Sequence, residues 1–189
     1  MRIEQDDFID KVLIDEESLD HKIRQLAKTL NEHYKDKGEL IMVCILKGSV
    51  MFMAELAKHL KIEVKMEFMS VSSYEDNTYS SGNVKILMDL DTDIKDKEVL
   101  IVEDIIDTGF TLKKIKETLL RREPRDLNII TLLDKPERRE VDLKPDFTGF
   151  KIPNEFVVGF GLDYNQLYRN LPYIGILKRS IYEDIDEMK

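Results

Sequence analysis

Three carboxylates and a hydroxyl-rich turn run together at Glu103-Asp104-Ile105-Ile106-Asp107-Thr108-Gly109-Phe110-Thr111, directly after the apolar run Val99-Leu100-Ile101-Val102. The run reads as a buried strand, and the turn opens a helix bearing Leu112, Ile115 and Leu119. Backbone N–H groups at a helix start, with the Thr108 and Thr111 hydroxyls and a glycine that lets a ligand approach closely, form a cradle for phosphate. Carboxylates alone repel phosphate, so the acids need a separate explanation. A sugar phosphate supplies it: Glu103 and Asp104 can accept hydrogen bonds from two ribose hydroxyls, with the phosphate one turn further on. Cations stand elsewhere at comparable places, Lys47 after Leu40–Leu46 and Lys135 after Leu127–Leu133.

Loops that follow strands matter only if a sheet holds them together, and the patterning predicts one. Leu19, Ile23, Leu26, Ala27, Leu30 and Tyr34 recur at helical spacing, which predicts an amphipathic helix over about Ser18 to Lys35 with Gly38 as its stop. Leu40 to Leu46 is too short for a helix and suits a strand buried on both faces. A second helix is expected from Val50 to Leu60. A strand is expected from Glu63 to Ser72, where Val64, Met66 and Phe68 alternate with Lys65 and Glu67. Ser73 to Asn83 is polar and aperiodic, a surface loop. Further strands are expected at Val84–Leu90, Glu98–Val102, Leu127–Leu133, Phe156–Phe160 and Ile174–Leu177. The alternation of strand and helix predicts an α/β fold with a mainly parallel sheet, whose ligands bind at the carboxyl ends of the strands. The loops after Leu46, Val102 and Leu133 are those ends.

Composition narrows the class. The chain has 189 residues, a length for one domain over 1–189, and 42% hydrophobic with 35% charged residues is a globular composition. A net charge of -9 speaks against a nucleic-acid partner, which needs a basic face. Cys44 is the single cysteine and sits in an apolar run, so it reads as core packing. No apolar run approaches a membrane span, and the start lacks a signal-peptide stretch, so the expected compartment is the cytoplasm with no membrane partner. His21, His33 and His59 lack ligand spacing.

The strand, paired acids, Asp107-Thr108-Gly109 and Thr111 closely resemble the 5-phosphoribosyl 1-pyrophosphate loop of the type I phosphoribosyltransferases. Separated motifs from about Leu40 to Arg179 resemble the bacterial hypoxanthine-guanine branch of that family. Leu46-Lys47-Gly48-Ser49 resembles its pyrophosphate loop, Ser73-Tyr74 the start of a closing lid, and Leu133-Asp134-Lys135-Pro136 its base-recognition segment. Phe156 to Asn165 resembles the stretch that stacks on the purine and ends in a metal-contacting acid. The resemblance implies a type I phosphoribosyltransferase fold, a twisted parallel sheet flanked by helices, with a small hood built from the chain ends. It implies a ribose-phosphate site of Glu103, Asp104, Thr108, Gly109, Phe110 and Thr111, with Asp107 catalytic near N7 of the purine. Lys47, Gly48 and Arg169 would hold pyrophosphate; Lys135, Phe156, Val157 and Asp163 would hold the base; Asp163, Glu103 and Asp104 would hold magnesium. It also implies a cis peptide between Leu46 and Lys47 and a homodimer or homotetramer. Lys135 agrees with the chemistry, because a donor-only side chain suits the oxo group of hypoxanthine or guanine and misfits the amino group of adenine. Phe110 and Gly161 depart from the family pattern without removing a needed side chain. An enzyme acting on xanthine or a pyrimidine, or a nucleotide-sensing regulator on the same fold, are the competing readings.

Overall fold

A computed structural model describes residues 8–73 and 84–182. The first element is strand β1 (Ile9–Ile14), which the hydrophobic pattern does not announce. Helix α1 (Glu16–His33) follows, and it starts earlier than expected because the Asp15 side chain accepts from Ser18 N at 2.7 Å and caps it. Its apolar stripe, Leu19, Ile23, Leu26, Ala27 and Leu30, is buried. Then come β2 (Leu40–Leu46), α2 (Val50–Ala57), β3 (Val64–Ser73), β4 (Val84–Met88), β5 (Glu98–Ile106) and α3 (Phe110–Leu120). The chain closes with β6 (Asp126–Asp134), a 3-10 turn over Pro136–Arg138, β7 (Phe147–Lys151), β8 (Val157–Val158), β9 (Ile174–Leu177) and α4 (Arg179–Tyr182).

The main sheet has six strands in the order β4-β3-β2-β5-β6-β7, parallel throughout except for the β3–β4 pair. Both faces of its centre are covered. Leu40, Met42 and Cys44 of β2 pack into the core that holds α1 and α2 residues, whereas Ile41, Val43 and Ile45 pack into the core that holds Leu112, Ile115 and Leu119 of α3. An unbroken apolar run is therefore required of β2, as its sequence has. A second sheet, β1-β9-β8, is made from both ends of the described chain and is the expected hood.

Four expectations change in detail. The second helix stops at Ala57 rather than Leu60. Strand β5 runs on to Ile106, because its parallel register with β6 continues through Glu103↔Thr131 and Ile106↔Asp134; the two acids lie on the strand, not in a loop. The expected strand over Phe156–Phe160 shrinks to Val157–Val158, since Gly159, Phe160 and Gly161 all take positive φ and turn the chain. Along β3 the apolar alternation faces outward: Met66 and Phe68 are 42% and 37% exposed, whereas Glu67 is buried and accepts from Asp91 N at 3.2 Å and from Thr92 Oγ1. Of the expected lid over Ser73 to Gly82, Ser73 ends β3, and Tyr74 with the rest lies outside the described residues.

Burial pushes the Cys44 thiol up to about 12, so almost none is thiolate near neutral pH. The native protein should resist a thiol-alkylating reagent at pH 8, with one thiol labelled only after denaturation. Native labelling at the denatured rate would place Cys44 outside the core.

Candidate active site

Adjacent parallel strands carry the chemistry to one edge of the sheet. The registered pair Ile106↔Asp134 puts the next residue of each strand, Asp107 and Lys135, side by side, and Lys135 N donates to Ile106 O at 3.0 Å. Lys135 Nζ lies 3.8 Å from Asp107 Oδ2 and donates to Glu155 O at 2.8 Å. Burial holds the Lys135 ammonium below the ordinary lysine range, with Asp107 acting against that shift. Asp107 also accepts from Arg138 Nε at 2.7 Å, in a pair that is about half exposed and so exchangeable. Asp107 does not cap α3. Gly109 occupies that position at φ 88, with no side-chain cap, leaving the helix start and the Thr108 and Thr111 hydroxyls to an incoming anion.

A cavity of about 270 Å³ opens here, lined by Ile45, Glu103, Asp107, Thr108, Gly109 and Thr111 among others. Glu103 of its lining is paired with Asp104. Ser49 Oγ donates to Glu103 Oε1 at 3.4 Å and accepts from Asp104 N at 3.1 Å, tying β5 to the loop after β2. Burial drives the Glu103 carboxyl well above the usual carboxylate range, and Asp104 beside it raises it further; burial also raises Asp104. Such a pair favours ligands that bring hydroxyl protons or positive charge.

The third group gathers around the loop after β2. The Leu46–Lys47 peptide is cis. Lys47 Nζ donates to Gln166 Oε1 at 3.0 Å, and Arg169 Nη2 reaches the same oxygen at 3.4 Å. Arg169 also pairs with Asp163 Oδ1 at 2.6 Å and donates to Gly161 O at 2.7 Å. Two glycines are needed where the hood meets this loop: a Cβ on Gly161, at φ 103, would stand 1.9 Å from Gly48 O, and one on Gly48 would stand 1.6 Å from Asp104 Oδ2. Gly161 thus has a steric role that its lack of a side chain had hidden.

The structure brings most of the sequence-derived residues together: Lys47, Gly48, Asp163 and Arg169 in one group, Asp107 and Lys135 in another, Glu103 and Asp104 between. Phe156 is exposed at the start of β8, and Val157 is buried on it. Phe110 is the first residue of α3. The three acids assigned to magnesium do not form a protein-only cage; among the described residues, no group of three metal-binding side chains converges. Sequence reading missed Arg139. Its guanidinium donates to Asp107 O at 3.0 Å, Leu143 O at 2.6 Å and Ile106 O at 3.4 Å, and pairs with Asp134 Oδ1 at 2.5 Å. It clamps the segments that carry Asp107 and Lys135, yet two consecutive arginines in a charged run give no signal of this. Gln166, between Lys47 and Arg169, was missed because its role consists of contacts to residues distant in sequence or to a neighbouring side chain.

The phosphoribosyl transferase domain profile matches residues 14–165 of the chain. A hypoxanthine-guanine phosphoribosyltransferase of Lactococcus lactis is 54% identical over 94% of this chain and 96% of its own, and one of Bacillus subtilis is 50% identical over 93% and 97%. A solved hypoxanthine phosphoribosyltransferase of Staphylococcus aureus superposes with a TM-score of 0.89 at 49% identity, covering 92% of this chain and 94% of that one. The chain therefore belongs to the phosphoribosyl transferase family and, within it, to the hypoxanthine-guanine phosphoribosyltransferases, enzymes of purine salvage.

The raised Glu103 pKa has a stability consequence with a definite sign. An acid that holds its proton more tightly when folded destabilises the fold as pH rises from its ordinary value of 4.5 through the raised one. Glu103→Gln should therefore raise the melting temperature of the ligand-free protein at pH 8, with the gain shrinking towards pH 4. Thermal melts across that range check it; a variant less stable at pH 8 contradicts the burial argument.

Proposed function

We propose that this site joins hypoxanthine or guanine to 5-phosphoribosyl 1-pyrophosphate, giving the nucleotide and pyrophosphate, with the residues in the following roles. The observation that carries the reading is the Lys135–Asp107 pair, 3.8 Å apart beside the phosphate cradle. A 6-oxopurine offers its oxo oxygen and N7–H next to each other on one edge, so a donor beside an acceptor matches it. Adenine presents an amino group where the oxo group would be, and Lys135 cannot accept. In the free protein Lys135 Nζ already donates to a carbonyl oxygen, that of Glu155, which a purine oxo group would replace.

The α3 start, with Thr108, Gly109, Phe110 and Thr111, takes the 5-phosphate, while Glu103 and Asp104 accept from the ribose hydroxyls. Phe156 gives a stacking face, and Val157 meets the base edge through its backbone. Lys47, the Gly48 amide and Arg169 take the pyrophosphate. A purine ring nitrogen forms a bond to the anomeric carbon as the bond to the pyrophosphate oxygen breaks; the electron pair leaves with pyrophosphate and the ring proton passes to Asp107. The cations stabilise charge that builds on the leaving group, an electrostatic effect. The adjacent Glu103 and Asp104, with Asp163 not gathered with them into one cluster, fit magnesium, which commonly binds through one or two carboxylates plus substrate oxygens rather than an all-protein cage. When bound, the ion would supply further neutralisation of the leaving group. We further assign the whole chain to one domain, acting in the cytoplasm as a homodimer or homotetramer; no described helix is long and apolar enough to cross a membrane.

An absorbance assay with 5-phosphoribosyl 1-pyrophosphate, magnesium and a panel of bases tests the reading; turnover of adenine or a pyrimidine in preference to oxopurines would sink it. Lys135→Ala should lower kcat/KM for hypoxanthine and guanine together by roughly 10- to 150-fold, as for loss of a charged donor, with binding of 5-phosphoribosyl 1-pyrophosphate little changed. Asp107→Asn should reduce kcat by about 10²–10⁴-fold with little change in nucleotide affinity. Near-normal turnover in that variant would remove Asp107 from proton transfer.

A further inference from the structure

Phe156 stays 38% exposed although two other rings touch it. Tyr182 stacks on it, with ring centroids 5.1 Å apart and planes at 23°, while Tyr164 meets it edge-on at 5.7 Å and 84°. A stacked ring can cover only one face of its neighbour, so the Tyr182 contact leaves the other face of Phe156 outside that stack. Tyr182 is anchored in turn. Tyr164 Oη donates to Ile181 O at 3.0 Å, so one tyrosine both flanks Phe156 and ties down the turn that delivers Tyr182. Lys178 N donates to Phe8 O and Ile181 N to Lys178 O, each at 3.0 Å, fixing this turn to the chain beside β1. On the other side, Leu177 N donates to Phe156 O at 2.9 Å.

We propose that Tyr182 is a positioning residue for the base: it backs the Phe156 ring, whose open face then receives the purine as the third member of an aromatic stack. The proposal rests on the reading of Phe156 as the base platform. Phe156 precedes a strand of only two residues, Val157–Val158, so little regular structure holds its side chain. Tyr182 and Tyr164 supply that restraint. A platform already held flat loses less freedom when the base arrives, and the gain appears in base affinity alone.

The test is steady-state kinetics on four single variants and one double variant of the full chain. Tyr182→Ala should raise KM for hypoxanthine and guanine by roughly 3- to 10-fold, the scale of one aromatic pair, while KM for 5-phosphoribosyl 1-pyrophosphate stays put. Tyr182→Leu, apolar but ringless, should behave like Ala, and Tyr182→Phe should restore the parent values because the ring, not the hydroxyl, stacks. Phe156→Ala should raise the base KM by itself, and adding Tyr182→Ala to it should cost nothing further. An unchanged base KM in Tyr182→Ala beside a raised one in Phe156→Ala overturns the proposal and leaves the platform intact. A lowered base KM in Tyr182→Ala means that the ring competes with the purine, which also overturns it. Equal rises for both substrates mark a merely structural residue. A Phe156→Ala variant with parent base KM removes the platform itself, and the proposal with it.

Discussion

The site depends on the parallel register of β5 against β6. Strands pair through evenly spaced backbone hydrogen bonds, and a shift of one residue would send every side chain to the opposite face. With Ile106 opposite Asp134, Asp107 and Lys135 leave the sheet together; displaced by one position, the acid and the ammonium would point to different sides. The apolar cores on both faces hold that register, because Val99 and Ile101 of β5 bury on one side and Leu100 and Val102 on the other. Arg139 extends the same constraint past the strand ends, where backbone pairing has stopped, by grasping the carbonyls of Ile106 and Asp107 together with the Asp134 carboxylate.

Holding two carboxylates at the end of a buried strand works against stability. The Ser49 hydroxyl donates to Glu103 and the Ile105 amide to Asp104, and Arg169 acts on Asp104 by charge, yet burial still raises both carboxyls. Their environment is completed by whatever brings protons or charge to them. A site that is poorly solvated when empty is one that binds polar ligands with little reorganisation, at some expense to the resting fold. The same logic applies to Lys135, whose ammonium is kept in a buried place beside the Glu155 carbonyl and a more distant Asp107 carboxylate.

The central strands, α1 to α3 and the acid–acid–turn segment were legible because each is a contiguous pattern: an apolar run, a helical stripe, a run of acids ending in a turn. What failed to show was non-contiguous or masked by a local exception. Strand β7 contains Gly149, which lets Leu132 O approach within 2.4 Å of where a Cβ would stand, and that glycine interrupts the apolar rhythm. Strand β1 earns its place only by pairing with β9, far along the chain. Strand β3 was recognised, yet alternation alone does not say which side is inside, and there the buried side carries Glu67. Most of the site could be named from residue types in motifs. Arg139 and Gln166 could not, since their roles consist of contacts to backbone carbonyls and to other functional side chains.

The meeting of Gly48 and Gly161 has a bearing on how this protein tolerates change. One glycine belongs to the main sheet's loop and the other to the turn after the hood strand β8, and their backbones touch with no space for even a methyl group. Lys47 and Arg169 are attached on either side of that contact, the latter through its hydrogen bond to Gly161 O. Any wedge at the joint, however small, is therefore transmitted as a change in spacing between two cations contributed by separate sheets. Substitution here would be felt as a change of charge geometry as well as of packing, so the joint acts as a gauge that sets the spacing of two cations from a distance.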